Sequence, residues 1–169
     1  MRVFWVHASN AARFEQSYRE VANLVEIPEW KNPQINIFKL VHDWLHDERQ
    51  GNWILILDNI DDVQFLMQAD PFIQKSQASD NEEGSSLRLL DYIPQSPNGS
   101  ILITTRTKSA ALRLVEEHEV IPVNPLDEPD AVTLLEKKLG DLADRRDLAA
   151  LAQELEFMPL AIVQAAAYL

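Results

Sequence analysis

One acidic cluster stands where a ligand site is expected. Asp58 directly follows the apolar run from Trp53 to Leu57, and Asp61 and Asp62 come shortly after it. A continuous apolar run predicts a buried strand of a parallel sheet, and its carboxyl end lies at the edge where ligands bind in α/β proteins. A carboxylate there can hold a Mg²⁺ ion through water. The alternative is an aspartate that caps the following loop.

An arginine follows a second strand-like run. Ser100 to Thr104 is apolar at its centre, and Thr105 and Arg106 come next. If this strand is parallel to the first, Arg106 lies at the same sheet edge as Asp58. A guanidinium group there can bind a terminal phosphate through two hydrogen bonds while keeping its charge. The alternative is a surface arginine paired with one of the many carboxylates.

Two other residue groups have the composition of metal sites. His42 and His46 are four residues apart, the spacing of a zinc pair on one helix face. Since no third ligand is evident, we do not expect metal there. A carboxylate cluster of Asp58, Asp61 and Asp62 is the other option. For Asp61 and Asp62 we favour the start of a short helix, where acidic side chains suit the helix dipole.

The elements that position these residues alternate along the chain. Helical patterns separate the strand-like runs, with Ser9 or Asn10 as the expected N-cap of the first. Alternating strands and helices predict an α/β fold with a three-layer parallel sheet, covered on both faces. The predicted strands are Val3 to Val6, Trp53 to Leu57, Ser100 to Thr104 and Val120 to Val123.

After residue 124 the pattern becomes helical. Asp127 is expected to cap one helix that Gly140 ends, and Pro159 fits the first turn of a last helix, Leu160 to Leu169. We therefore predict an α/β domain over 1–124 and a small helical subdomain over 125–169. The polar segment from Gln68 to Ser86 is predicted to be an exposed, mobile loop. The four tryptophans are predicted to pack in the core.

Composition excludes several classes of function. The chain has 169 residues, a formal charge of −12 and no cysteine. The negative charge disfavours nucleic acid and anionic membranes as partners, because no broad basic face is available. The absence of cysteine excludes disulfides and thiolate chemistry. No apolar stretch is long enough to span a bilayer, so we expect a cytoplasmic protein.

Taken together, these segments resemble the NB-ARC domain of the STAND-class P-loop ATPases, in the version found in fungal-type NOD-like signalling proteins. The matching segments follow the family's order over nearly the whole chain. They are Val3 to Ser9, Ile54 to Asn59, Gly99 to Arg106, Val123 to Leu126 with Asp130, Ala131, Leu134 and Leu135, and Phe157 to Ala161.

The resemblance implies a nucleotide switch that holds ADP and exchanges it for ATP with Mg²⁺. Asp58 would be the Walker B aspartate near Mg²⁺, Arg106 would contact the terminal phosphate, and Pro159 would pack near the adenine. It also implies a P-loop NTPase sheet in which the first strand would lie between the strands at Ser100 and Val120. The expected partners are the phosphate-loop, winged-helix and repeat regions of the family, or homologous NB-ARC proteins.

The departures from the family bear on activity. The four glycines are isolated from one another, so the Gly-rich phosphate loop with its lysine is missing, and we expect it before Val3 together with the first strand. Asn59 replaces a second acid, which puts hydrolysis in doubt. We therefore expect a fragment that binds nucleotide weakly alone. One alternative is a nucleotide-free adaptor or decoy that pairs with intact relatives, and another is a metal-dependent hydrolase.

Overall fold

The computed structural model describes residues 1–70, 87–140 and 144–169. They form two compact units, Met1–Val120 and Ile121–Leu169. The described strands and helices are, in order, β1 (Arg2–His7), α1 (Ala11–Leu24), α2 (Ile37–His46), β2 (Trp53–Asp58), β3 (Gly99–Ile103), α3 (Lys108–Ala111), α4 (Glu128–Leu139), α5 (Arg145–Glu154) and α6 (Pro159–Ala166). No described helix has both the length and the apolar character needed to cross a membrane.

The first unit contains a parallel sheet, as predicted. Within its described residues the sheet has three strands in the order β1-β2-β3. The register pairs His7 with Asp58 and Leu57 with Ile103, so all three strands end at the same edge. The α/β class is therefore confirmed, and β2 pairs with a strand on each side.

Helices α1 and α2 cover one face of this sheet. Asn10 caps α1 by accepting a hydrogen bond from the Arg13 amide at 3.0 Å, and Asn36 caps α2 in the same way. Inward side chains from the helices and strands form one core, and aromatic rings such as Phe14 and Phe38 stack within it. The Trp53 indole donates to the Leu45 carbonyl at 2.8 Å, which ties β2 to the end of α2.

The opposite face of the sheet departs from the expectation of cover on both sides. Along β1, Phe4 and Val6 are buried, whereas Val3 and Trp5 are about half exposed, at 54% and 53%. Leu102 of β3 lies on the same face as Trp5 and is also exposed. The prediction of core packing was therefore wrong for Trp5, because its side chain points away from α1 and α2.

The predicted strand from Val120 to Val123 does not form. The segment has no strand assignment, and Ile121 and Val123 are 82% and 94% exposed. Pro122 has no amide hydrogen to donate, and none of the described strands pairs with this segment. Its β-branched side chains were therefore a misleading signal.

The predicted exposed loop from Gln68 to Ser86 is described only as far as Asp70. Ala69 forms an antiparallel bridge with Arg88, and the Asp70 amide donates to the Leu87 carbonyl at 2.8 Å. The Asp70 carboxylate is fully buried and accepts from the Tyr92 hydroxyl at 2.6 Å. The start of the segment is thus anchored in the core, contrary to the prediction, and residues 71–86 lie outside the described range.

The second unit is helical, with α4, α5 and α6 around a small core that includes Leu135, Leu148 and Ile162. Asp127 caps α4 by accepting from the Asp130 amide at 2.9 Å, and Gly140 ends the helix at a positive φ of 66°. Both signals were predicted from the sequence. The last helix is shorter than predicted and ends at Ala166.

Candidate sheet-edge site

A cavity of about 310 Å³ opens at the carboxyl edge of the sheet. The ends of β1, β2 and β3 and the start of α1 supply its walls. Its lining residues are His7, Ser9, Arg13, Asp58, Asn59, Thr104, Thr105 and Arg106. Because this edge is where ligands bind in open α/β sheets, the cavity is the candidate functional site. It brings together Asp58 and Arg106, as their positions after two parallel strands predict.

Asp58 is the carboxylate at the centre of this edge. Its Oδ1 accepts a hydrogen bond from the Thr104 hydroxyl at 2.7 Å, and its Oδ2 lies 3.6 Å from Nδ1 of His7. The side chain is 28% exposed. One oxygen is therefore fixed by the neighbouring strand, while the other faces His7 and the cavity.

Thr104 also fixes the backbone after β2. Its hydroxyl accepts from the Asn59 amide at 2.9 Å, and its carbonyl accepts from the Ile60 amide at 2.9 Å. Asn59 adopts a left-handed conformation with φ of 64°, a region that asparagine tolerates better than most residues. The chain therefore turns sharply after Asp58, and the turn is held by the end of β3.

Arg106 is paired with Asp61. The Arg106 Nε donates to Oδ2 of Asp61 at 2.6 Å, its Nη2 lies 2.5 Å from the same oxygen, and its amide donates to Oδ1 at 2.9 Å. These hydrogen bonds hold the pKa of Asp61 below its usual value and raise that of Arg106. The structure thus contains the surface ion pair that the sequence analysis gave as the alternative to phosphate binding by Arg106. The outer edge of the guanidinium stays accessible, because the side chain is 82% exposed.

The other carboxylates do not converge on a metal site. Asp62 accepts from the Gln64 amide at 2.8 Å, just before a 3₁₀ turn over Gln64–Met67. Asp62 thus precedes a short helix as predicted, whereas Asp61 is used by Arg106. In the described ranges, no three acidic or histidine side chains are placed to hold a metal ion. The proposed cluster of Asp58, Asp61 and Asp62 is therefore not formed.

The His42 and His46 rings stack at 5.1 Å between centroids on the exposed side of α2. His42 contacts Asp43 at 3.2 Å rather than a third metal ligand.

Pro159 lies in the second unit, where it is the first residue of α6 and is exposed. The preceding residues Glu156 and Phe157 have positive φ values of 52° and 57°. They form a tight turn between α5 and α6. The contact of Pro159 with an adenine ring stays a prediction.

Sequence reasoning missed two features of the site. Arg13 was not selected as a site residue, although it lies three residues after the Asn10 cap and so on the first turn of a helix that follows a strand end. Asp61 was not identified as the partner of Arg106, because their contact joins residues 45 positions apart. A strand end followed by a capped helix was the available signal for Arg13.

The first unit thus has a parallel α/β fold with a polar cavity at the carboxyl edge of its sheet. No family model matches the chain. The chain is 34% identical to a protein of Hyaloscypha variabilis named nucleotide-binding leucine-rich repeat (NLR)-like protein. The alignment covers 99% of this chain and 16% of that protein. The chain is therefore similar, over nearly all of its length, to one part of a much longer NLR-like protein.

Proposed function

We propose that the chain is part of an NB-ARC-type adenine-nucleotide switch in an NLR-like signalling protein, and that the sheet-edge cavity holds the phosphate and metal end of the nucleotide. The observation that carries the proposal is the meeting of Asp58 and Arg106 in one cavity at the carboxyl edge of a parallel sheet. The similarity to a protein named as nucleotide-binding supports the same assignment.

The donor set of the cavity suits Mg²⁺. Asp58 supplies a carboxylate, and Ser9, Asn59 and Thr104 supply neutral side-chain oxygens in the same cavity. Magnesium prefers oxygen ligands and keeps several of its waters, so one carboxylate reached through water is sufficient. Bound Mg²⁺ would offset the repulsion between Asp58 and phosphate. Thr104 would keep Asp58 in place through the hydrogen bond to Oδ1.

Arg106 is oriented for a phosphate by its ion pair. Asp61 occupies the Nε and Nη2 side of the guanidinium, which leaves Nη1 and the second Nη2 hydrogen for a ligand. A guanidinium fork held on one side by a carboxylate can therefore still donate two hydrogen bonds on the other. This arrangement supports a role for Arg106 in contacting the terminal phosphate of ATP.

The binding by this chain alone is expected to be weak. The four glycines are far apart in the sequence, so these 169 residues contain no Gly-rich phosphate loop. The amides and lysine of such a loop normally cradle the phosphates. With only side chains of the cavity, Asp58 and Arg106 among them, as contacts, we expect a dissociation constant of about 1 mM or more, near −4 kcal/mol.

The test is an NMR titration of the ¹⁵N-labelled chain with Mg-ADP and Mg-ATP. We expect saturable shifts at Asn59, Thr104 and Thr105. Asp58→Asn should weaken both nucleotides, and Arg106→Ala should weaken ATP more than ADP. Absence of saturable shifts at the sheet edge would contradict the proposal, and a micromolar constant would contradict the expected weakness.

Two matched variants control for charge. Arg49 is exposed and pairs with Asp47 at 2.8 Å, much as Arg106 pairs with Asp61, but it does not line the cavity. Arg49→Ala should therefore leave both affinities unchanged. Asp62→Asn removes a nearby carboxylate that is also outside the cavity, and it should have no effect either. Equal losses of ADP and ATP in Arg106→Ala would indicate a structural role for that arginine.

A second candidate is a nucleotide-free adaptor that pairs with homologous NB-ARC proteins. The exposed apolar side chains Val3, Trp5 and Leu102 on one sheet face favour it. Binding of an intact NB-ARC relative by a chain that shows no nucleotide-dependent shifts would support the adaptor over the switch.

A further inference from the structure

Arg13, in the first turn of α1, forms part of the cavity wall. It is the third residue of α1, its backbone amide is held by Asn10 at 3.0 Å, and its side chain lines the cavity beside Ser9. Residue 13 is exposed. Its position is therefore fixed by the helix start, while its guanidinium is free to meet a ligand.

The charged side chains that line the cavity differ in how far their charge is already offset by a neighbouring group. Arg106 shares its charge with Asp61 through the hydrogen bonds described above. Asp58 has His7 at 3.6 Å and the Thr104 hydroxyl at 2.7 Å. Arg13 differs from both, because within residues 1–70, 87–140 and 144–169 its guanidinium has no ion pair and no hydrogen bond. All five of its N–H donors are open to an anion.

The start of α1 adds to this positive potential. The first turn of a helix carries unpaired amides and a partial positive charge, and α1 has 14 residues. Arg13 and Ser9 lie at that end and line the same cavity. An anion bound there would meet a cation, a hydroxyl and the helix dipole, and would break no existing ion pair.

We propose that Arg13 is the principal phosphate-binding arginine of the sheet-edge cavity, with Arg106 secondary because Asp61 already offsets its charge. The inference rests on the proposed function, since it takes the ligand to be a nucleoside diphosphate or triphosphate. Arg13 contacts a phosphate common to ADP and ATP. Its loss should weaken both nucleotides equally, unlike the loss of Arg106.

The experiment titrates the ¹⁵N-labelled chain with Mg-pyrophosphate and with Mg-ADP. We expect Arg13→Ala to raise the dissociation constant for both probes about threefold to tenfold, and Arg106→Ala to raise it less. Arg13→Lys should recover part of the affinity, because it keeps the charge but lacks the planar fork. Alanine is a good helix former, so Arg13→Ala should fold normally.

Arg19→Ala is the matched control. Arg19 lies on the same helix and pairs with Glu15 at 2.8 Å, outside the cavity. The Arg19→Ala variant should bind both probes with the same dissociation constants as the unchanged chain. If both probes bind and Arg13→Ala stays within about twofold, or if Arg106→Ala has the larger effect, the inference is wrong while the proposed function stands. No saturable binding by the unchanged chain would contradict both.

Discussion

The hydrogen bonds of Thr104 connect the candidate site to the stability of the first unit. Its hydroxyl donates to Asp58 at 2.7 Å and accepts from the Asn59 amide at 2.9 Å. Thr104→Val keeps the branched shape of the side chain and removes both hydrogen bonds. It should therefore loosen the turn after β2 without opening a large cavity.

The expected magnitude follows from these two hydrogen bonds. A bond to a charged acceptor contributes about 1.5–3 kcal/mol and a neutral one about 0.5–1.5 kcal/mol. Asp58 is 28% exposed and Asn59 is exposed, so water replaces part of each bond. We expect the free energy of unfolding of the first unit to fall by about 1–2 kcal/mol. With a urea dependence of about 2 kcal/mol per molar, the midpoint should fall by about 0.5–1 M.

Tryptophan fluorescence during urea unfolding measures this unit selectively. All four tryptophans, at positions 5, 30, 44 and 53, lie in Met1–Val120. The control is Thr133→Val in α4 of the second unit, where the hydroxyl donates to the Pro129 carbonyl at 2.8 Å. It should leave the fluorescence midpoint unchanged. A midpoint for Thr104→Val within about 0.2 M of the unchanged chain would refute the reasoning.

Two further variants test the core of the first unit. Tyr92→Phe removes the buried hydroxyl that donates to Asp70 at 2.6 Å and should cost about 1.5–3 kcal/mol by urea unfolding, whereas Tyr168→Phe, at an exposed position, should cost nothing. Burial and then the Asp70 hydrogen bond raise the pKa of Tyr92 to about 12. The contribution of Tyr92 to the free energy of unfolding is therefore complete below pH 10 and is lost as the pH rises to 12. The Tyr92→Phe variant should lack this loss of stability. Gly99→Ala would drive a methyl group into the buried Trp53 ring and should cost about 1–3 kcal/mol in the same assay; an unchanged urea midpoint would contradict this.

Local patterns were sufficient to predict where Asp58 and Arg106 would meet. Each follows a short apolar run, and parallel strands that start in register must end at the same edge. The helix cap at Asp127 was equally readable and that of α1 was narrowed to Ser9 or Asn10, since a short polar side chain before an apolar helical pattern satisfies the first free amides. These features depend on residues close together in the chain.

The wrong predictions concern which parts of the protein cover a strand or pair with it. The run from Val3 to Val6 has the same composition whether one face or both faces of the sheet are packed, so the exposure of Trp5 was not readable. Val120 to Val123 has strand-forming side chains, but β propensity reflects the surface on which a strand packs. Without a described neighbouring strand, the segment has no ladder to join.

The charge balance of the site was also beyond sequence reasoning. With a net charge of −12, an arginine has many carboxylates available as partners, and composition does not say which arginine is neutralised. The left-handed turn at Asn59 and the bonds from Thr104 carry the chain away from β2 and leave Asp61 against Arg106. Arg13 is held by the start of α1 and keeps its charge uncompensated among the described residues. An acidic chain can therefore present a local anion site, because attraction at contact distance depends on the nearest unpaired charge more than on the sum of charges.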